Sequence, residues 1–416
     1  MQSTTNQTKP VAPNQRIEYL DVLRGIAIFF IFCANIVYFS GYFDFPVELR
    51  TGPTFFKIDD YFEFVMHMLV DGKFYSIFSL LFGIGCAIQL QNITSQNKHF
   101  TSFFRRRMLW LLGFGLLHLV FLWMGDILTL YALLGLVLIL FVQCTDKQLL
   151  QWAVILILLP LLNWGVIHLL GFNYPSFFYN LNPQFNAYVG VPNSTDYGIL
   201  LTDFNAYLRN ENLLDFFKAN MGATFIRIGD ILNEGRAFKV LGIFLLGLWA
   251  GRKILNENLL ENRAFLKKIA IWGLCIGLPI SCSRSFIVFF LDSSDFWSFM
   301  STLSYAFGTV PLAIAYTAIL ALVFKKEGRF LHWFAPVGKM ALSNYLMQTI
   351  VATIVFYGIG FKLAGSLGYT LVIGSGLLIF SAQVIFSRWW LKRFTFGPME
   401  WLWRQLTYGK RITNKR

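Results

Sequence analysis

His118 lies inside an apolar run, and Asp126 follows eight residues later at the turn Met124-Gly125-Asp126. A carboxylate held against an imidazole orients it and raises its basicity, which is how a general base is built. A hydrogen bond between two helices is the structural alternative. Tyr131 follows five residues after Asp126, one to two turns down the next helix. Asn35 and Lys73 fall in the same half of the apolar region; their plain readings are an interhelical hydrogen bond and a snorkelling amine. In KMALSNYLMQ, Asn344 and Gln348 stand four apart on one helical face, with Tyr345 between them and Lys339 at the start. In LDVLRG, Asp21 and Arg24 are three apart and can pair on one face. Arg24, Arg105, Arg106, Arg107 and Lys339 thus crowd one end of the apolar region, with Asn344 and Gln348 at mid-depth. That layout suits a polar path across a membrane with an anion at its cationic mouth. The plain reading of the Arg cluster is a signal of topology.

These residues need long apolar helices to hold them. Of 416 residues, 56% are hydrophobic and 14% charged. A soluble domain carries about 25% charged residues, and a water-facing surface has no place for the excess apolar side chains. The sequence therefore reads as an all-α polytopic membrane bundle. Ten spans are expected near 22–40, 73–91, 108–124, 126–144, 148–171, 237–251, 268–290, 299–324, 336–357 and 367–389, each of about 20 mostly apolar residues. The span at 237–251 is short and is expected to extend into Asn233–Arg236. The first span is preceded by a polar stretch and lacks a small-residue cleavage site, so it is expected to stay as a membrane helix rather than act as a signal peptide.

Basic residues set the orientation. With the N-terminus inside, the inner segments carry 25 basic and 7 acidic residues, net +18, and the outer segments 10 basic and 15 acidic, net −5. The inner set includes Lys98, Lys325, Lys326 and Arg329 as well as the Arg cluster. Both termini are therefore expected in the cytoplasm. The expected organisation is a cytoplasmic tail over 1–20, one helical domain over 21–390 with outer loops 41–72 and 172–236, and a basic tail over 391–416 lying along the inner leaflet. The first loop carries Asp44, Glu48, Asp59, Asp60 and Glu63 around an amphipathic stretch, and an interfacial helix is expected at 199–218. The basic excess marks the cytoplasmic face, which removes nucleic acid as a partner. Five scattered cysteines form neither a disulfide framework nor a metal cluster, so no metal is expected. No HExxH, Walker A, GxSxG or CxxC pattern is present.

Several blocks resemble the YeiB family of bacterial membrane proteins, classed as a domain of unknown function. They are RIEYLDVLRGIAIFFIFCANI, GKFYSIFSLLFGIG, RRRMLWLLGFGLLHLVFLWMGDILTLYALLG, VGKMALSNYLMQTIVATIVFYGIG and GPMEWLWRQLTYG, in family order over nearly the whole chain. The family implies the bacterial cytoplasmic (inner) membrane. The opening motif is also similar to that of the heparan-glucosaminide N-acetyltransferases, which move an acyl group from cytosolic acyl-coenzyme A to a sugar across the membrane. In that comparison Asp21, Arg24 and Gly25 match the LDxxRG core and Asn35 matches an active-site Asn. The match departs at the catalytic His, which in those enzymes follows the Asn closely. Here the next His is His67, 32 residues on, so the assignment does not carry over and His118 takes its place.

The resemblance makes a transmembrane acyltransferase the first expectation. Arg24, Arg105, Arg106, Arg107 and Lys339 would hold the phosphates of acyl-coenzyme A, since arginine forks match phosphate oxygens. The pantetheine arm would pass Asn344 and Gln348. His118, held by Asp126, would deprotonate an extracytoplasmic hydroxyl or amine, on a glycan or small molecule, while Asn35 or Lys73 stabilised the oxyanion. A secondary transporter of a small metabolite or organic anion is the alternative, because buried ionisable groups serve transport equally well. Against it, no inverted repeat is visible. A third reading is a non-catalytic scaffold. Glu400 has no role that sequence reasoning supplies, and the sequence leaves oligomeric assembly open.

Overall fold

The computed structural model describes residues 17–44, 53–96, 99–191, 195–196, 199–200, 208–324 and 328–416. Glu48, Lys98, Lys325 and Lys326, and residues 201–207 of the expected interfacial helix, lie outside them, as does the side chain of Arg329. Apart from a two-residue antiparallel pair, Thr195–Asp196 with Ile199–Leu200, the described elements are helical.

The helices run in the order α1 Glu18–Phe39, α2 Asp59–Leu69, α3 Lys73–Thr94, α4 Phe100–Phe121, α5 Leu128–Leu138, α6 Asp146–His168, α7 Pro175–Val189, α8 Leu213–Asn233 and α9 Arg236–Glu257. There follow α10 Arg263–Phe290, α11 Asp295–Phe324, the short α12 Gly328–Leu331 and α13 Ala335–Lys339, then α14 Ala341–Phe356, α15 Tyr369–Arg393 and α16 Pro398–Tyr408. Each expected apolar stretch falls on a helix. Among the described residues, six segments are long and apolar enough to cross a membrane: α1, the α2–α3 segment, α6, α10, α11 and α15. That makes the chain a multi-pass membrane protein. α5 and α14 are apolar but shorter, whereas α4 and α9 carry Arg105–Arg107 and Arg236, Lys239, Arg252 and Lys253 near their ends. Large apolar side chains such as Leu117, Leu162, Trp272, Leu378 and Ile385 face outward, as lipid-facing surface requires.

Three details differ from expectation. The interfacial helix expected at 199–218 is not there as read: Ile199–Leu200 pairs as a strand, and the helix in this region runs Leu213–Asn233. α9 begins only at Arg236, because Gly235 takes a left-handed φ of 58° and breaks the chain from α8. The segment 172–236 is more than a loop: α7 and α8 form a helical pair, and α8 packs against α4. Buried Asn220 on α8 donates to the Leu119 and Val120 carbonyls at the end of α4.

α1 is the central element, touching α3, α11, α13, α14 and α15. Its closest approach is at Gly25, where a Cβ would collide with the Phe334 carbonyl; on the facing segment a Cβ on Gly338 would strike the Asp21 carbonyl. A similar pair, Gly83 and Gly247, lets α3 and α9 meet backbone to backbone. Small residues at such crossings let dispersion contacts act where lipid offers no hydrophobic driving force.

Candidate functional site

Asp21, Arg24, Ile28, Ile31, Asn35 and Tyr38 recur every three or four residues, so they form one face of α1, with Ile17 just before its start. All of them line a single cavity of about 1590 Å³. From Asp21 to Tyr38 the helix rises roughly 26 Å, close to the ~30 Å of a bilayer's apolar core. The cavity therefore follows the helix along most of its length. It is also larger than the ~300–1,000 Å³ of an ordinary small-molecule pocket.

One end is cationic. Of the cations that the sequence groups at one end, Arg24, Arg107 and Lys339 line it, and Arg388, Lys392, Arg404 and Arg416 join them. Arg105 and Arg106 are exposed and do not line it. Helical geometry explains the split, since three consecutive residues point in three directions. Arg24 pairs with Asp21 at 3.0 Å, and the Arg107 guanidinium lies 3.6 Å from the Trp403 ring centroid. The basic tail folds back onto this end: Thr395 N–H donates to Asn414 O at 2.8 Å and Trp401 Nε1 to Ile412 O at 2.7 Å. Glu400 gains a role here. Its carboxylate accepts from the Leu342 and Ser343 backbone N–H groups and the Ser343 hydroxyl, at 2.6, 3.1 and 2.6 Å. It therefore caps the start of α14, where the helix dipole favours a negative charge. Burial raises this carboxyl above its ordinary range, against the downward pull of the hydrogen bonds.

His118 and Asp126 do meet, with Nδ1 to Oδ1 at 2.9 Å. The other ring nitrogen lies 2.9 Å from Thr349 Oγ1, and Asp126 Oδ2 accepts from the Thr129 N–H at 2.7 Å. Neither His118 nor Asp126 lines the cavity, and both side chains are fully buried. With both nitrogens bonded, the ring ties α4, the α4–α5 turn and α14 together. His118→Ala would leave the Asp126 carboxylate short of a partner and cost about 3 kcal/mol, read as a lower melting temperature. An unchanged melting temperature with lost function would instead return His118 to the chemistry.

The remaining expected residues divide similarly. Asn35, Gln348, Tyr131 and Tyr345 line the cavity. Asn344 does not: its amide donates to Val337 O and Ser387 Oγ at 3.2 and 3.0 Å. Gln348 also donates to Gln383 at 3.0 Å, so the two residues zip α14 to α15. Lys73 is buried rather than snorkelling, and its amine donates to His67 O in the last turn of α2 at 3.2 Å. A cation there complements that helix's C-terminus.

At the end opposite the arginines, sequence reasoning missed a group of polar residues. Arg284 pairs with Asp71 at 2.6 Å, and Arg236 with Glu234 at 2.6 Å. Tyr305 bonds Tyr75 hydroxyl to hydroxyl at 2.7 Å, with Lys239 Nζ 3.1 Å from its ring centroid. Buried Arg227 donates to the Asp126 carbonyl at 3.0 Å. Asp71, Glu234, Arg236 and Tyr305 line the long cavity and also a second one of about 830 Å³. The signal was present: Arg284 is an ionised residue within the apolar stretch 268–290, a costly placement that marks function by default.

Comparison with known proteins places this arrangement in a family. A family described as "Protein of unknown function (DUF418)" matches residues 250–410, which contain α10 to α16. The chain is 32% identical over 410 residues to "Uncharacterized protein YxaH" of Bacillus subtilis (strain 168), covering 96% of each. It is 26% identical over 400 residues to "Uncharacterized protein YeiB" of Escherichia coli (strain K12), covering 93% of this chain and 95% of that one. An "Uncharacterized 39.9 kDa protein in amylase 3'region" of Bacillus acidopullulyticus is 26% identical over 417 residues, covering 97% of each. The full-length likeness to YxaH and YeiB, together with the match to its C-terminal part, makes the chain a member of the DUF418 family.

Proposed function

We propose that the chain is an acyltransferase of the bacterial cytoplasmic membrane. It takes an acyl group from coenzyme A at the arginine-rich end and passes it to an acceptor at the opposite end. In this reading ten helices cross the bilayer, both termini are cytoplasmic, and the cationic mouth faces the cytosol, as the charge asymmetry favours. The observation that carries it is the cavity along α1, cationic at one end and reaching a second cavity at the other. Phosphates of the donor would bind Arg24, Arg107, Lys339 and the cations of the folded-back tail. The pantetheine arm would lie along the Ile28–Ile31 face, bringing the thioester toward Asn35 and Tyr345. The acceptor oxygen or nitrogen would attack the thioester carbon. As the carbon–sulfur bond breaks, coenzyme A leaves as a thiolate that takes up the acceptor's proton. Asn35 and the Tyr345 hydroxyl are neutral donors on the cavity wall that could steady the oxyanion.

The test is the melting temperature of the purified protein with acetyl-coenzyme A, followed by release of the coenzyme A thiol. A ligand at about 100 times its Kd adds about 2.7 kcal/mol to the folded state, so a dose-dependent rise is expected. A flat response with no thiol release removes the reading. Ion-coupled flux of an organic anion in proteoliposomes would then make the chain a transporter.

A further inference from the structure

We infer that the second cavity is the acceptor site, that it takes a neutral hydroxyl-rich molecule such as a sugar ring or polyol, and that His67 receives the acceptor's proton. The inference rests on the acyl-transfer reading for its chemistry, but not for its binding site.

The wall contributed by α11 is a stripe of hydroxyls. Ser298, Ser301, Thr302 and Tyr305 stand at the spacing of one helical face and line the cavity. Three of them are engaged within the protein. Ser298 Oγ accepts from Trp164 Nε1 at 3.1 Å, Thr302 donates to Ser298 O at 3.0 Å, and Tyr305 bonds Tyr75 at 2.7 Å. Ser301 makes no hydrogen bond to a described residue and is left to the cavity. Aromatic residues, Trp164 and Phe289 among them, supply apolar faces. Of the charges lining it, Asp71 is paired with Arg284 and Glu234 with Arg236, and Glu63 adds a third carboxylate. An incoming anion would compete with those pairs. A neutral ligand with alternating hydroxyls and C–H faces would meet groups that both donate and accept.

His67 also lines this cavity. In the tautomer the proposal uses, Ser285 donates to the Ser281 carbonyl at 3.1 Å and its oxygen accepts from His67 Nδ1–H at 2.8 Å. That leaves the Nε2 lone pair as the base. Asp71 Oδ2 lies 3.8 Å from Nε2, too far for a hydrogen bond, and is already paired with Arg284 at 2.6 Å, so His67 acts as a neutral base that holds the proton only in passing. The proton would pass from the acceptor hydroxyl to Nε2, while the oxygen attacks the thioester carbon. From Nε2 it would move to the departing thiolate, which leaves an ester and free coenzyme A thiol. His118 has no such open nitrogen.

The test uses the full protein with glucose and glycerol as probes. Binding of each labelled probe is measured without any acyl donor. Saturable binding is expected, weakened at least about tenfold, or 1.4 kcal/mol, by Ser301→Phe, with the melting response to acetyl-coenzyme A unchanged. Should Ser301→Phe fail to fold, Ser301→Cys is modified with a bulky thiol reagent after folding, with the exposed Cys275 and Cys282 replaced by Ser. His67→Ala is expected to lower thiol release by about 100-fold, well beyond any weakening of probe binding measured in the same variant. If neither probe binds, or blocking position 301 leaves binding intact, the acceptor-site inference falls. If probes bind and are lost as expected while acetyl-coenzyme A never binds, the cavity stands as a sugar or polyol site and the acyl-transfer reading falls instead.

Discussion

Replacing Gly25 by alanine is expected to destabilise the protein by about 3 kcal/mol or more, at the upper end of what overpacking costs. The added methyl would meet the Phe334 carbonyl oxygen, a backbone atom that cannot swing away like a side-chain tip. The opposing surface is equally tight, because Gly338 faces the Asp21 carbonyl and the Gly25 nitrogen. Relief requires α1 and the Phe334–Lys339 segment to separate. That movement would also displace Asp21, Arg24 and Lys339, which belong to the cationic end of the cavity. Gly85 provides the control, since a Cβ there has nothing within 4 Å. Gly85→Ala is expected to be neutral, or to stabilise by about 0.5–1 kcal/mol through helix propensity. Melting temperatures of the two variants check both statements; equal losses would contradict the packing described at Gly25.

The second large effect concerns the three consecutive arginines. Arg107→Glu is expected to weaken acetyl-coenzyme A binding by about 100-fold or more. It exchanges a charged hydrogen-bond donor, worth about 1.5–3 kcal/mol, for a charge that repels phosphate. Arg105→Glu and Arg106→Glu are expected to change binding by less than about threefold at physiological salt, where exposed charges are largely screened. The distinction rests on geometry, because Arg107 lines the cavity against Trp403 while its two neighbours are exposed. Equal losses at all three positions would mean that the arginines act through their general field.

The helices were legible because apolar runs of membrane length have few alternatives. The hairpin turn at Met124-Gly125-Asp126 was legible from its breaking residues, and the proximity of His118 and Asp126 followed from that turn. What sequence could not show was which side of a wall a residue faces. His118 and Lys339 lie in similarly apolar surroundings along the chain, yet one is sealed between α4 and α14 and the other opens on the cavity. The role of Glu400 required knowing that α16 returns to the start of α14, a contact about 58 residues away along the chain. The polar group at the far end draws Asp71, Arg236, Arg284 and Tyr305 from four separate segments. Of these, Arg284 alone carried a strong local signal, as an ionised residue inside an apolar stretch.

The measurement that bears most directly on acyl transfer across the membrane uses the protein reconstituted in vesicles with the arginine-rich face outward. Labelled acetyl-coenzyme A is supplied outside, with glucose or glycerol trapped inside. Label on the trapped acceptor, matched by free coenzyme A outside and absent with Arg107→Glu, is the predicted result. Label remaining on external coenzyme A, with the protein folded and correctly oriented, would contradict it.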